Sequence, residues 1–95
     1  MNEILTLIQS DGGRRDVLAG LRSVTRAEFY QAQTAGYKPE LVFVLADYLD
    51  YADEPRVKYA EKLYRVLRTY RVGQELEIVV TAASAEEVAI YGGNN

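Results

Sequence analysis

Residues 41–46, Leu-Val-Phe-Val-Leu-Ala, leave a strand no polar side to turn toward water. Leu41, Phe43 and Leu45 fall on one face and Val42, Val44 and Ala46 on the other, the pattern of a strand covered on both sides. A chain of 95 residues has few ways to provide two covers. A domain this small buries about 60–65% of the surface of its unfolded chain, so one face has to meet a core and the other a short helix or a neighbouring subunit.

The segment just before the strand supplies such a helix. Thr25-x-x-Glu28 is a capping box, in which the Thr hydroxyl accepts the backbone N–H of Glu28 and the Glu28 carboxylate accepts that of Thr25. Val24 and Phe29 are spaced as a hydrophobic staple, which sets the angle of entry. Gly36 is the left-handed stop, and Pro39 prevents a restart while holding Lys38 extended. The expected helix, 26–35, is too short to stand alone and has to be docked. Val24, Thr25, Glu28, Phe29, Gly36 and Pro39 thus form a corner between helix and strand.

The rest of the chain reads as β-structure. Glu3–Gln9 alternates and ends at Ser10-Asp11-Gly12-Gly13, a turn in preference to an anion nest. Val17, Ala19 and Leu21 alternate in the next segment, where Gly20 marks either a bulge or a close backbone approach. Residues 56–71 carry apolar positions at near-helical spacing, but Gly73 reads as the first residue of a two-residue turn into Glu75–Thr81. That turn sets Thr69 opposite Ile78 and Leu67 opposite Val80, so 62–71 is assigned as a strand. Arg56–Tyr59 becomes its partner, with Ala60-Glu61 at the tip. The expected fold is mainly β with one short α-helix: a small antiparallel β-barrel, the helix packed on its side, over residues 1–82. Residues 83–95 form a C-terminal extension, where Ser84-x-x-Glu87 permits a short helix at 85–91 and a frayed end is the alternative.

Composition limits the chemistry. The chain has no Cys and no His, which removes disulfides, Cys/His zinc sites, thiol nucleophiles and imidazole bases. It shows no phosphate-binding Gly loop with its Lys and no nucleophile elbow. Asp47, Asp50, Asp53 and Glu54 match no calcium-loop spacing and read as a solvated acidic loop. No catalytic residue, cofactor or metal is therefore assigned. No apolar run approaches the length of a membrane span and MNEILTLIQSD lacks a basic leader, so the expected setting is a reducing cytoplasm or an assembly formed there.

Net charge is −3, yet 62–74 holds Lys62, Arg65, Arg68 and Arg71 without an acid, while 75–95 holds Glu75, Glu77, Glu86 and Glu87 without a base. Cross-strand ion pairs in a hairpin are the expected use. Eight Tyr residues suit surfaces buried against partners with one polar atom kept wet. Two classes remain: a barrel that assembles, and a barrel that binds nucleic acid through Tyr64, Arg68 and Tyr70 on one face.

The run S-V-T-R-A-E-F-Y-Q-A-Q-T-A-G-Y-K-P-E at 23–40, then the apolar strand, then Leu63-Tyr64-Arg65-Val66-Leu67-Arg68-Thr69-Tyr70 and Leu76-Glu77-Ile78, resembles the head-tail joining family of long-tailed bacteriophages, the head-completion or stopper proteins. The resemblance spans roughly residues 3–82. It implies a barrel with a short helix, found in the virion at the head-tail interface and in the host cytoplasm during assembly. It further implies a ring, typically of twelve copies, whose subunits can be monomers in solution. Its partners would be the portal adaptor and the tail-completion protein, with passive contact to packaged DNA and none to a membrane. Such a ring closes the filled head, retains DNA and docks the tail; a tail-completion role is the nearest alternative. On this reading Asp11, Gly12, Gly13, Arg14, Arg15, Asp53 and Glu54 are candidate channel loops, and Tyr30, Tyr37, Val42 and Val44 a candidate subunit interface. Similar proteins often carry Asn-Gly or Asp-Gly where this chain has Ala60-Glu61.

Overall fold

The computed structural model describes residues 2–34, 36 and 38–92, the side chains of 31–34 excepted. Its strands are β1 (Glu3–Ile8), β2 (Arg14–Arg22), β3 (Leu41–Leu45), β4 (Arg56–Tyr59), β5 (Lys62–Val72) and β6 (Glu75–Ala82). Helix α1 spans Arg26–Thr34 and helix α2 spans Ala85–Tyr91. The strands close into an antiparallel barrel in the order β1-β2-β3-β6-β5-β4. Period-2 apolar patterning generates the interior, where Leu5, Leu7, Ala19, Phe43, Leu45, Val57, Ile78 and Val80 are fully buried. Phe43 lies at its centre, with the rings of Tyr59 and Tyr64 edge-on at 5.3 and 6.2 Å.

Strand boundaries follow the sequence expectation closely. Gly73, at φ +62°, is the first of two residues in the β5–β6 turn and places Thr69 opposite Ile78. The other expected pair fails: Val66 faces Val80 and Arg68 faces Val79, so Leu67 is the extra residue of a bulge. The bulge reverses the parity of β5. Tyr64 points into the barrel and is buried, whereas Arg68 and Tyr70 point outward, so these three side chains share no stacking face. Gly20 makes no bulge; β2 leaves β1 at Ala19 and takes up β3 from Gly20.

Four buried apolar residues lie on the outer surface. Val42 and Val79 are cross-strand partners at 0% and 2% exposure, and Ile8 and Leu63 are equally sheltered. Their cover comes from within the chain. Val42 is therefore internal packing and unavailable to a neighbouring subunit, which corrects its assignment as an interface residue. Val44 is half-buried and Tyr30 is exposed, while Tyr37 lies outside the described residues.

The β4–β5 tip is an Ala60-Glu61 turn with φ of +51° and +66°, a type I′ requirement met by two residues that disfavour it. Each non-Gly residue held there costs about 1–2 kcal/mol. The double substitution Ala60→Asn, Glu61→Gly should raise stability by about 1–2 kcal/mol, read as a higher urea midpoint with unchanged m-value.

Candidate functional site

The corner that precedes β3 is built by one arginine. Arg22, the last residue of β2, donates to both carboxylate oxygens of Glu28 at 3.2 and 2.9 Å. The same guanidinium reaches Glu77 of β6 at 2.8 Å. Because Arg22 pairs with Val42 and Glu77 with Val44, this bridge crosses β3 on its outer face. The start of α1 is thereby tied to β2 and β6. Glu28 does two tasks, since its Oε1 also accepts the Thr25 N–H at 2.8 Å while the Thr25 hydroxyl accepts the Glu28 N–H at 3.2 Å. The capping box is formed, and Val24 and Phe29 flank it half-buried. Arg22 hydrogen bonding holds the Glu28 carboxyl at about 2 against the opposing effect of burial, and Arg22 is raised in turn.

Downstream, Gly36 adopts φ +85° and Pro39 is buried. The Thr81 hydroxyl donates to the Lys38 carbonyl at 2.7 Å and the Glu40 N–H extends the β3–β6 ladder to Val80 at 2.8 Å. The exit from the corner is stitched to β6.

The two loops assigned to a channel meet at the opposite end of the barrel. Asp11, Gly12 and Gly13 form the β1–β2 turn, in which Gly12 takes φ +92° and the Gly13 N–H donates to the Asp11 carboxylate at 2.8 Å. The β3–β4 connection, residues 46–55, crosses the barrel end and lays Tyr48 and Tyr51 against the core. Asp47 caps its single 3-10 turn, accepting the Leu49 N–H at 2.9 Å and the Gln74 amide at 2.8 Å. Glu54 turns inward and is 1% exposed. Its carboxylate accepts from Arg15 at 2.8 Å and from the Ala52 N–H at 2.7 Å, while Arg15 also donates to the Asp50 carbonyl at 2.7 Å. Tyr51 donates to the Glu54 carbonyl, and burial, reinforced by Glu54 and Asp53, pushes its phenol up to about 12.

The expected solvated acidic loop is thus a plug held by a buried carboxylate. Glu54 faces the barrel interior and cannot line a channel. Asp53 stays exposed at φ +61°. Arg14 also has an intramolecular partner, the Tyr91 carbonyl at the end of α2.

Helix α2 was legible as the Ser84–Glu87 box, which is formed with both reciprocal bonds. What holds it down was not. Arg56 donates to Glu87 at 2.7 Å and stacks on the Tyr91 ring at 4.2 Å, while the Tyr91 hydroxyl donates to the Ser10 carbonyl at 3.0 Å. Burial opposes ionisation of Glu87, but the Ser84 N–H and Arg56 hold its pKa below the usual value. Arg14 and Arg56 are the cross-strand neighbours of Ile8 on its two sides, so α2 lies over Ile8. Two of the acids of 75–95 reach beyond the hairpin: Glu77 pairs with Arg22 of β2 and Glu87 with Arg56 of β4.

What remains open to solvent is apolar in places. Ile4 and Leu18 are direct cross-strand partners, each 57% exposed, and Leu49, Val72 and Ile90 are more than half exposed. Among the described residues no group of three or more acidic side chains is arranged to hold a metal ion, and no buried side-chain polar atom lacks a partner. No family model matches the chain and no curated protein matches it.

Three substitutions separate the roles of these carboxylates. Glu28→Gln keeps the capping box but loses the charge, and should cost about 1–2 kcal/mol near neutral pH. Since the folded-state pKa is depressed, the Glu28 contribution is complete above its ordinary value near 4.5 and is lost as pH falls toward about 2. In urea titrations across that window the variant should lose less stability than the parent. At the plug, Arg15→Ala strands a buried carboxylate and should cost about 2–3 kcal/mol, whereas Glu54→Gln retains the acceptor for Ala52 and should cost about 1 kcal/mol. Equal costs would mean that the Arg15–Glu54 pair does not close the barrel end.

Proposed function

We propose that this chain is a structural subunit of a bacteriophage head-tail connector, acting as a head-completion protein. Copies would form a ring beneath the portal and its adaptor, close the filled head, retain DNA and present the surface on which the tail docks. The observation that carries the reading is the corner of residues 22–40. Glu28 and Glu77, which lie in segments that carry the family resemblance, are joined by Arg22, and this bridge ties the start of the short helix to the barrel. A closed barrel with a flanking helix is the architecture that the resemblance implies.

Two further features support an assembling subunit. The barrel completes its own core, so association has to use its outer surface. Exposed apolar residues are available there: Ile4 with Leu18 on one flank, and Leu49, Val72 and Ile90 elsewhere. Net charge of −3 suits a surface that lies near DNA without adhering to it. Binding single strands through stacked aromatics is less favoured, because Tyr64 is inside the barrel.

Electron microscopy of particles lacking the protein tests the proposal. Heads that fill, leak DNA and bear no tail are the expected result. Stable DNA-filled heads beside free, unfinished tails would instead assign the chain to the tail end and overturn head completion.

A further inference from the structure

Helix α2 is inverted relative to an ordinary surface helix, which buries its apolar stripe. Its polar residues face the barrel: Glu87 pairs with Arg56, Arg56 stacks on Tyr91, and the Tyr91 hydroxyl reaches the Ser10 carbonyl. At about 100° per residue Ala85 and Ala89 then point away from the barrel, with Val88 and Ile90 to either side of them at 45% and 71% exposure. The capping acid is the residue that docks, and the apolar stripe is left outside.

The barrel surface beside the helix is also apolar, and it runs parallel to the helix. The Ala83 N–H donates to Leu63 of β5, Glu87 meets β4, and the Tyr91 carbonyl accepts from Arg14 of β2. Helix α2 therefore crosses the strands along the row Arg56–Ile8–Arg14. Two residues along β1, on the same outer face, stands the row Lys58–Thr6–Asp16; two residues further on stand Ile4 and Leu18, each 57% exposed. That last row is about 13 Å from the helix row, against a helix diameter of about 10–12 Å. The outer face is a step, with a helix on one level and beside it an apolar floor wide enough for one more.

The step fits a second copy of itself. A two-fold axis above the Lys58–Thr6–Asp16 row, and parallel to it, lays α2 of each copy on the Ile4–Leu18 floor of the other. Because the axis is parallel to the helix, each end of α2 stays over the same strands, and the charges then match. Glu86, exposed at the β4 end of α2, comes to Lys58 of the second copy, while Arg14 at the β2 end comes to Asp16 of the second copy. Among the described residues neither Lys58 nor Glu86 forms an ion pair within the chain. We infer that the free chain pairs two-fold with a second copy, each α2 covering the other's Ile4–Leu18 floor. The inference does not rest on the connector reading.

Sedimentation equilibrium of the whole chain tests the pairing. The expected result is a mass that rises with concentration from 10.7 kDa toward twice that value. Ile90→Lys and Leu18→Lys should each raise Kd about tenfold or more. Both side chains are more than half exposed, so far-UV circular dichroism should stay unchanged. Mixing these two variants leaves one intact contact of helix on floor, and should give a heavier species than either alone. Lys58→Glu and Glu86→Lys should each weaken pairing about tenfold, since every dimer loses two ion pairs, and together should restore it. A chain monomeric up to about 1 mM, a dimer indifferent to Ile90→Lys or Leu18→Lys, or a charge exchange that fails to restore pairing would overturn the inference. A ring-sized species would also overturn it, while favouring the connector reading.

Discussion

A carboxylate at 1% exposure determines how the barrel ends. Burying Glu54 would be costly without the Arg15 guanidinium and the Ala52 N–H, and it is that cost which ties β2 to the 46–55 crossing. Three consequences follow from the same contact. Tyr48 and Tyr51 are pressed onto the core, the β4 strand is cut to four residues, and the upper part of β5 is left with a free edge. A barrel closed by an apolar plug alone could slide its loop; one closed by an oriented ion pair has a single register. The closure and the exposed edge are two results of one interaction.

The helices obey a parallel rule. Neither α1 nor α2 has a fully buried side chain among those described, so neither is held by deep apolar insertion. Each is fastened by an outward arginine that reaches an acid at the third helical position. Arg22 takes Glu28 and Arg56 takes Glu87, and both acids are already committed to their own capping boxes. Helix initiation and helix docking are thus one event in each case. The economy suits a chain too small for a second core layer, because helices this short could not form in isolation.

The sequence made the local events legible and left the distant ones hidden. Strand limits, both capping boxes, the Gly73 turn and the Ala60-Glu61 tip follow from alternation and turn chemistry within a few residues. The partners of Arg22 and Arg56 stand 55 and 31 residues away, and nothing in spacing selects Glu77 or Glu87 from the other acids. For the same reason Glu54 looked like one more acid in a solvated loop. Val42 looked available to a neighbour because a strand apolar on both faces does not say which cover comes from its own chain. The Leu67 bulge did leave a trace. Counting from the Ala60-Glu61 tip puts Tyr64 inside, counting from Gly73 puts Thr69 on the same side as Ile78, and an even and an odd position cannot share a face unless one extra residue lies between them.

That extra residue bears directly on what the outer surface offers. Without it Arg68 would point into the barrel and Arg65 and Tyr70 would fall on opposite faces of β5. With it, Arg65, Arg68 and Tyr70 line one outer row of β5, and the Arg68 guanidinium donates to the Tyr70 hydroxyl at 2.7 Å. The bulge therefore brings Arg65 and Arg68 onto one face of β5, while Arg71 stays on the face of Thr69.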